Sequence, residues 1–392
     1  MRSPTARRAE EIEPFEVMDV LSRAHALEAA GRRVVHMEIG EPDFAAPAPV
    51  VEAGLRALRE GRTAYTATLG LPALREAIAA FYAARFAVAV PASRIAVTSG
   101  ASGGLLTVAA LYVEAGDEVL VPDPGYPGYR HFVRAFEGRA RPLAVSAATR
   151  FQPTLDMVRA AWSARTKALV LGSPSNPTGT LIERAELARI AEFVAARGGV
   201  LVVDEIYQGL VYGSEPLGGP WTALGLPGEV VVVNSFSKYF CMTGWRLGWV
   251  VLPQGAVRGF EKLAQHLYIS APTAAQHAAC AAFGAETLQV LEARRAEFAR
   301  RRDFLLPQVT AAGLAVPAEP HGAFYIYADC GGDARAWCLA LLEREGVAAT
   351  PGVDFGANGT ARFVRFAYTR SMDELAEAAQ RLRRYGPCAP AA

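Results

Sequence analysis

The chain has 392 residues, too many for one ordinary hydrophobic core, so two packed regions are expected. Apolar residues make up 52% and charged residues 20%, which excludes an intrinsically disordered chain. A formal net charge of +1 gives no general attraction to nucleic acid or to an anionic membrane, and neither is expected as a partner. Cys241, Cys280, Cys330, Cys338 and Cys388 are odd in number and contain no C-x-x-C pair. They argue for a reducing, cytoplasmic setting and against a disulfide or zinc framework, so no metal is expected. No apolar run reaches the ~18 residues of a membrane span. Arg2, Arg7 and Arg8 are followed at once by Glu10, Glu11 and Glu13, which reads as a frayed tail and not a targeting signal.

In chain order, a helix is expected over Glu16 to Ala30. Short Val/Leu/Ile runs then recur as strands at residues 94–98, 118–121, 167–171, 200–203, 230–233 and 247–252. Helical stretches lie between several of them, such as Ala101 to Val113 and Glu183 to Arg197. Strands buried on both faces and separated by helices predict an open, mostly parallel α/β sheet. After about residue 255 the character changes to a long charged helix over Glu286 to Arg302, a strand at Ala323 to Tyr327, and a helix near Ala334 to Glu345. A strand at Arg362 to Ala367 and a helix from Asp373 complete a smaller α+β region. The expected division is a large domain over 46–285 and a discontinuous small domain from 1–45 and 286–392.

In open α/β sheets ligands bind beyond the carboxyl ends of the strands, and polar groups cluster there. Ser99 to Gly104 opens a helix after a strand, as an anion cradle or a plain tight turn. Gly100-Ala-Ser102-Gly-Gly104 also fits G-x-S-x-G, the nucleophile elbow of a serine hydrolase, with His321 downstream. Tyr126, in Asp123-Pro-Gly-Tyr-Pro-Gly-Tyr129, either stacks on a flat ligand or packs in its loop. Asn176 sits between Pro174 and Pro177 as a rigid donor or as part of a turn. Asp204 closes an apolar strand, where a desolvated carboxylate needs a partner or caps the following turn; Tyr207 lies one turn on. Only Lys167, Lys238 and Lys262 are lysines. Lys238 falls between Ser235, Ser237 and Arg246, so its amine can form a Schiff base with an aldehyde cofactor while hydroxyls and guanidinium hold a phosphate. Arg365, inside Phe363-Val-Arg-Phe-Ala, needs an anion such as a carboxylate, with Arg362 a rival.

Together these segments resemble the class I/II aminotransferases, the fold-type-I pyridoxal-phosphate (PLP) enzymes, from about Phe15 to the C-terminus. The motifs occur in family order: Ile39-Gly40-Glu-Pro-Asp-Phe44, Tyr65 with Gly70, Ser99 to Gly104, Asp123 to Tyr126, Asn176-Pro-Thr-Gly179, and Asp204 to Tyr207. Ser235-Phe-Ser-Lys238, Arg246, Gly322-Ala-Phe-Tyr325, Pro351-Gly352 and Arg365 follow. The resemblance implies an α/β large domain with a mostly parallel seven-stranded sheet flanked by helices, plus the smaller α+β domain. It implies that Lys238 forms the aldimine and shuttles protons, that Asp204 holds the ring nitrogen protonated, and that Asn176 and Tyr207 bond the ring oxygen. Tyr126 would stack on the ring, while Gly100, Ala101, Ser102, Ser235, Ser237 and Arg246 would cradle the phosphate. Tyr65 would reach the phosphate of the neighbouring subunit, implying a homodimer with shared sites. Arg365, with Asn176 and the Gly40 backbone, would clamp the substrate carboxylate.

The implied activity is transfer of an amino group between an L-amino acid and a 2-oxo acid, by a ping-pong scheme. Leu263 to Pro272 contains no arginine, which argues against a dicarboxylate donor. Phe15, Ile39 and Tyr268 are expected pocket walls. A C–S lyase or an aminocyclopropane-carboxylate-synthase-like enzyme would use the same residues, and a serine hydrolase would use Ser102. A regulator with an aminotransferase-like domain would carry a DNA-binding domain in front, for which the stretch before Gly40 is too short.

Overall fold

The computed structural model describes residues 5–213 and 221–388. Its largest sheet has seven strands. From one edge to the other they are Ile95–Thr98, Gly248–Val251, Glu229–Ser235, Val200–Asp204, Thr166–Gly172, Glu118–Asp123 and Arg139–Ala144. The four strands from Glu229–Ser235 to Glu118–Asp123, with the Arg139–Ala144 edge, pair in parallel. Gly248–Val251 runs antiparallel to both its neighbours, with Ser235 opposite Gly248.

The central strands form because their β-branched side chains are buried on both faces: every residue of Val200–Asp204 is buried. The Arg139–Ala144 strand escapes the sequence reading. It pairs on one side only, is largely exposed and carries Pro142, so its pattern is that of a solvated edge. Trp249 is fully buried and donates through its indole N–H to the Tyr82 hydroxyl at 3.1 Å, tying the sheet to the Pro72–Phe86 helix.

Beyond the sheet, the expected long helix runs from Ala285 to Ala311 and continues through Pro307, because Leu305 and Val309 on its last turns are buried. Tyr325–Asp329, Phe363–Ala367 and Thr350–Pro351 form a three-stranded antiparallel sheet, with Arg365 opposite Tyr327 and Thr350. The Glu16–Ala29 helix packs Val20, Ala24 and Leu27 against Val34, Leu342 and Ala348. Val35–His36 then pairs in parallel with Val347–Ala348. Arg301, on the long helix, is buried and binds Asp43 at 2.8 Å and Glu297 at 3.0 Å, anchoring the segment after Gly40. Among the described residues no helix is long and apolar enough to cross a membrane.

Candidate active site

The parallel strands end at one edge of the sheet, and their carboxyl ends deliver Tyr126, Asn176, Asp204 and Ser235 to it. Because Gly248–Val251 is antiparallel, its start lies at that same edge, so one loop between Ser235 and Gly248 supplies Ser237, Lys238 and Arg246. A cavity of about 450 Å³ opens there.

One end of the cavity is built for an anion. The Gly100–Tyr112 helix points its N-terminus at it, which favours negative charge. The Ser235 hydroxyl donates to Ser237 Oγ at 2.9 Å and is met by the Ser237 N–H at 3.0 Å. Arg246 has φ +50° and is held by a bond from Nη1 to the Thr243 carbonyl at 2.9 Å. Gly100 is required beside it: its φ is +74°, and a Cβ there would lie 2.5 Å from Arg246 Nη2.

The middle of the cavity holds an amine and a carboxyl whose charges are both penalised by burial. Lys238 Nζ donates to the Gly40 carbonyl at 2.6 Å, and desolvation pulls its pKa down to about 8. Asp204 is 5% exposed, and desolvation pushes it up to about 6. It accepts from the Tyr129 hydroxyl at 2.9 Å and the Ile206 N–H at 3.1 Å, both neutral donors, which leave it suited to a cationic partner. Tyr207 and Tyr325 share a hydrogen bond of 2.6 Å. The Tyr126 ring lies 6.5 Å from Phe15, stacked at 24°.

Opposite the lysine stands Arg365, 5% exposed. Its Nη1 donates to Asn176 Oδ1 at 2.9 Å, and its Nη2 to the Glu38 carbonyl and to Thr350 Oγ1. The guanidinium carbon sits 4.4 Å above the Tyr325 ring and 4.9 Å above Phe355. Its Nε has no partner among the described residues. The rival Arg362 is exposed and paired with Asp329 at 2.7 Å, away from the cavity.

Of the expected site residues, Gly40, Ala101, Ser102, Tyr126, Asn176, Asp204, Tyr207, Ser235, Ser237, Lys238, Arg246 and Arg365 line this one cavity, and Gly100 backs it against Arg246. Phe15 and Ile39 line it as well; Tyr268 does not, packing instead beside the core near Phe260 and Ala264. Tyr65 stands apart at 79% exposed. The hydrolase constellation does not assemble: Ser102 lies within the first turn of its helix, and His321 faces the Glu319 carbonyl and Arg150, outside the cavity lining. No site role follows from the sequence for Tyr129, Thr350 or the Glu38 backbone, and Tyr325 is legible only as the end of the Gly322-Ala-Phe-Tyr motif. Tyr129 carries a weak signal, three residues after Tyr126; Tyr325 and Thr350 reach the site through the three-stranded sheet, and Glu38 through the segment after the Val35–His36 strand.

The family model for aminotransferase class I and II matches residues 32–382. The chain is 37% identical over 383 residues to the (5-formylfuran-3-yl)methyl phosphate transaminase of Methanocaldococcus jannaschii, covering 97% of this chain and 99% of that one. It is 38% identical over 384 residues to the valine–pyruvate aminotransferase of Mycobacterium tuberculosis, covering 97% of each. Among solved structures, an aminotransferase from Mycobacterium tuberculosis superposes with a TM-score of 0.92 at 37% identity, covering 98% of this chain and 99% of that one. Aspartate aminotransferase from Thermus thermophilus with maleate gives 0.90 at 33% identity, covering 98% and 100%.

Proposed function

We propose, for a chain that belongs to the class I and II aminotransferases and is a transaminase, that it exchanges the amino group of an L-amino acid with a 2-oxo acid in two ping-pong half-reactions, with PLP as cofactor. The observation that carries this is the single cavity in which a desolvated lysine amine, an anion cradle and a buried carboxyl without a strong cationic partner surround one space. Those three groups fit an aldehyde, a phosphate and a basic ring nitrogen. When bound, PLP supplies an electron-withdrawing ring that stabilises negative charge at the substrate α-carbon.

The chain's own residues would then divide the work. The backbone at Gly100, Ala101 and Ser102, with Ser235, Ser237 and Arg246, holds the phosphate. Asp204 keeps a proton on the ring nitrogen, Asn176 and Tyr207 bond the ring oxygen, and Tyr126 lies against the ring face. Arg365, stacked and held on two sides, receives the α-carboxylate bidentately. Lys238, drawn toward neutrality at ordinary pH, takes and returns a proton at the substrate α-carbon.

The wall beside Arg365 and Lys238 includes Phe15, Val17 and Ile39, while Lys238, Arg246 and Arg365 already have tasks. This supports a donor whose side chain carries no second carboxylate. The exposure of Tyr65 supports its use in a partner's site, hence a homodimer. The same reading divides the chain into a large domain over 46–285 and a small one from 1–45 and 286–392, and places the enzyme in the cytoplasm.

The test is an absorbance spectrum of protein purified with PLP, followed by addition of single amino acids. A band near the visible edge that is missing in Lys238→Ala, and that is lost with a given amino acid as the matching 2-oxo acid appears, supports the proposal. Elimination products in place of that 2-oxo acid would move it to a lyase. Absence of the band at any PLP concentration would overturn the cofactor assignment.

A further inference from the structure

We propose that Cys330 and Cys388 are a dithiol modification site that closes to an intramolecular disulfide under a two-electron oxidant of the hydroperoxide class. The pair lies outside the cavity and does not depend on the proposed chemistry. Cys330 directly follows the Tyr325–Asp329 strand, and Cys388 lies just beyond the last helix, Met372–Tyr385. Their backbones are already joined, with the Cys388 N–H donating to the Cys330 carbonyl at 2.8 Å. Their sulfurs stand 3.6 Å apart. A disulfide bond is about 2 Å, so closure requires only side-chain rotation and a small shift of the tail.

The space for this contact is specific. A Cβ at Gly332 would lie 2.8 Å from Cys388 Cβ and 3.0 Å from its sulfur, so any larger residue would push the thiol out. Cys330 is fixed on its other side by its own N–H, which donates to the Arg362 carbonyl at 2.9 Å. Cys338 is fully buried, as is Cys330, whereas Cys388 is half-buried. Among the described residues no group of three or more His, Cys, Asp or Glu side chains is arranged to hold a metal ion.

The exposures set the order of events. The oxidant meets Cys388: its thiol and a hydroperoxide give a sulfenic acid and an alcohol, or water when the oxidant is hydrogen peroxide. The Cys330 sulfur then attacks the Cys388 sulfur, the S–S bond forms as the S–OH bond breaks, and hydroxide leaves with the Cys330 proton as water. Burial pushes the Cys330 thiol up to about 12, so it attacks from a small thiolate fraction. The closed ring spans 330–388 and contains the Phe363–Ala367 strand with Arg365, so oxidation ties the tail to the sheet that carries the clamp. Reduction by a small dithiol reopens it.

The experiment treats the purified PLP-loaded enzyme with hydrogen peroxide, blocks free thiols with N-ethylmaleimide and maps tryptic peptides without reduction. Arg335 separates Cys330 from Cys338, and Arg384 precedes Cys388, so each thiol falls in its own peptide. The expected result is one linked pair, Cys330 with Cys388, two hydrogens lighter than the free peptides and released by dithiothreitol. The oxidised enzyme should unfold a few degrees higher than the reduced one, and Cys388→Ser should abolish both effects. Cys330→Ser should leave a sulfenic acid at Cys388 that dimedone traps. Cys330 and Cys388 both fully alkylated after peroxide treatment, or a link from Cys388 to Cys338 or to another chain, would overturn the proposal.

Discussion

Replacing Tyr129 by Phe isolates the electrostatics of the buried carboxyl. The phenol donates to Asp204 Oδ2 at 2.9 Å, and both groups are 5% exposed, so no solvent takes its place. A hydrogen bond to a charged group contributes about 1.5–3 kcal/mol, and a pKa unit corresponds to ~1.4 kcal/mol. Its loss should therefore raise Asp204 from about 6 by roughly one to two units. In cofactor-free protein, a carboxyl whose folded pKa lies above the usual 3.8 gives stability that is complete below that value and falls as pH rises through the folded one. For wild type that fall is on the order of 3 kcal/mol; in Tyr129→Phe it should extend further by about 1–3 kcal/mol. Urea unfolding of both proteins at pH values below and above the window measures it. The variant should be penalised more at the higher pH, and in an Asp204→Asn background that pH dependence should vanish. An equal penalty at both pH values would refute the claim that Tyr129 stabilises the charged form.

Arg365→Lys keeps the charge but loses the planar fork and the stacking on Tyr325, and should lower kcat/KM for amino acids by about 10²-fold in steady-state assays, on the ~2–3 kcal/mol expected of a bidentate pair. A Cβ at Gly40 would lie 2.0 Å from the Tyr325 hydroxyl, so Gly40→Ala should displace Tyr325, break its bond to Tyr207 and lower both Tm and kcat/KM. His36 has a raised pKa, first through its hydrogen bond with buried Glu38 at 2.7 Å. That pair stabilises fully below the usual 6.5 and less as pH rises through the folded value, so Glu38→Gln should flatten this part of a urea-midpoint curve above that pH. Single-turnover assays should rank donors with neutral side chains above aspartate; aspartate as the best donor would refute the reading of the Phe15, Val17 and Ile39 wall.

Much of the architecture is legible along the chain because burial on both faces writes itself as unbroken Val/Leu/Ile runs, as at residues 200–203 and 230–233. The polar residues that end those strands, Asp204 and Ser235, then stand at the carboxyl edge of a parallel sheet. The Arg139–Ala144 strand is not legible, since an exposed edge carries no apolar code. Nor does local sequence give the direction of Gly248–Val251, which brings Arg246 back beside Ser235.

Tertiary structure alone decides between the two arginines of the Phe363–Ala367 region. Arg362 and Arg365 have the same chemistry, but Arg362 ends the short turn before the strand and pairs with Asp329 at the surface, whereas Arg365 lies within the strand, buried, and donates to Asn176. The same holds for Tyr129 on Asp204, Tyr325 on Tyr207, the outward Tyr65 and the Cys330–Cys388 contact. Residue identity and strand-end position are local properties, so the sequence by itself determines which groups have the chemistry and at which edge they gather. Which of them meet is set by packing between segments 58 to 189 residues apart, and only the folded chain decides that.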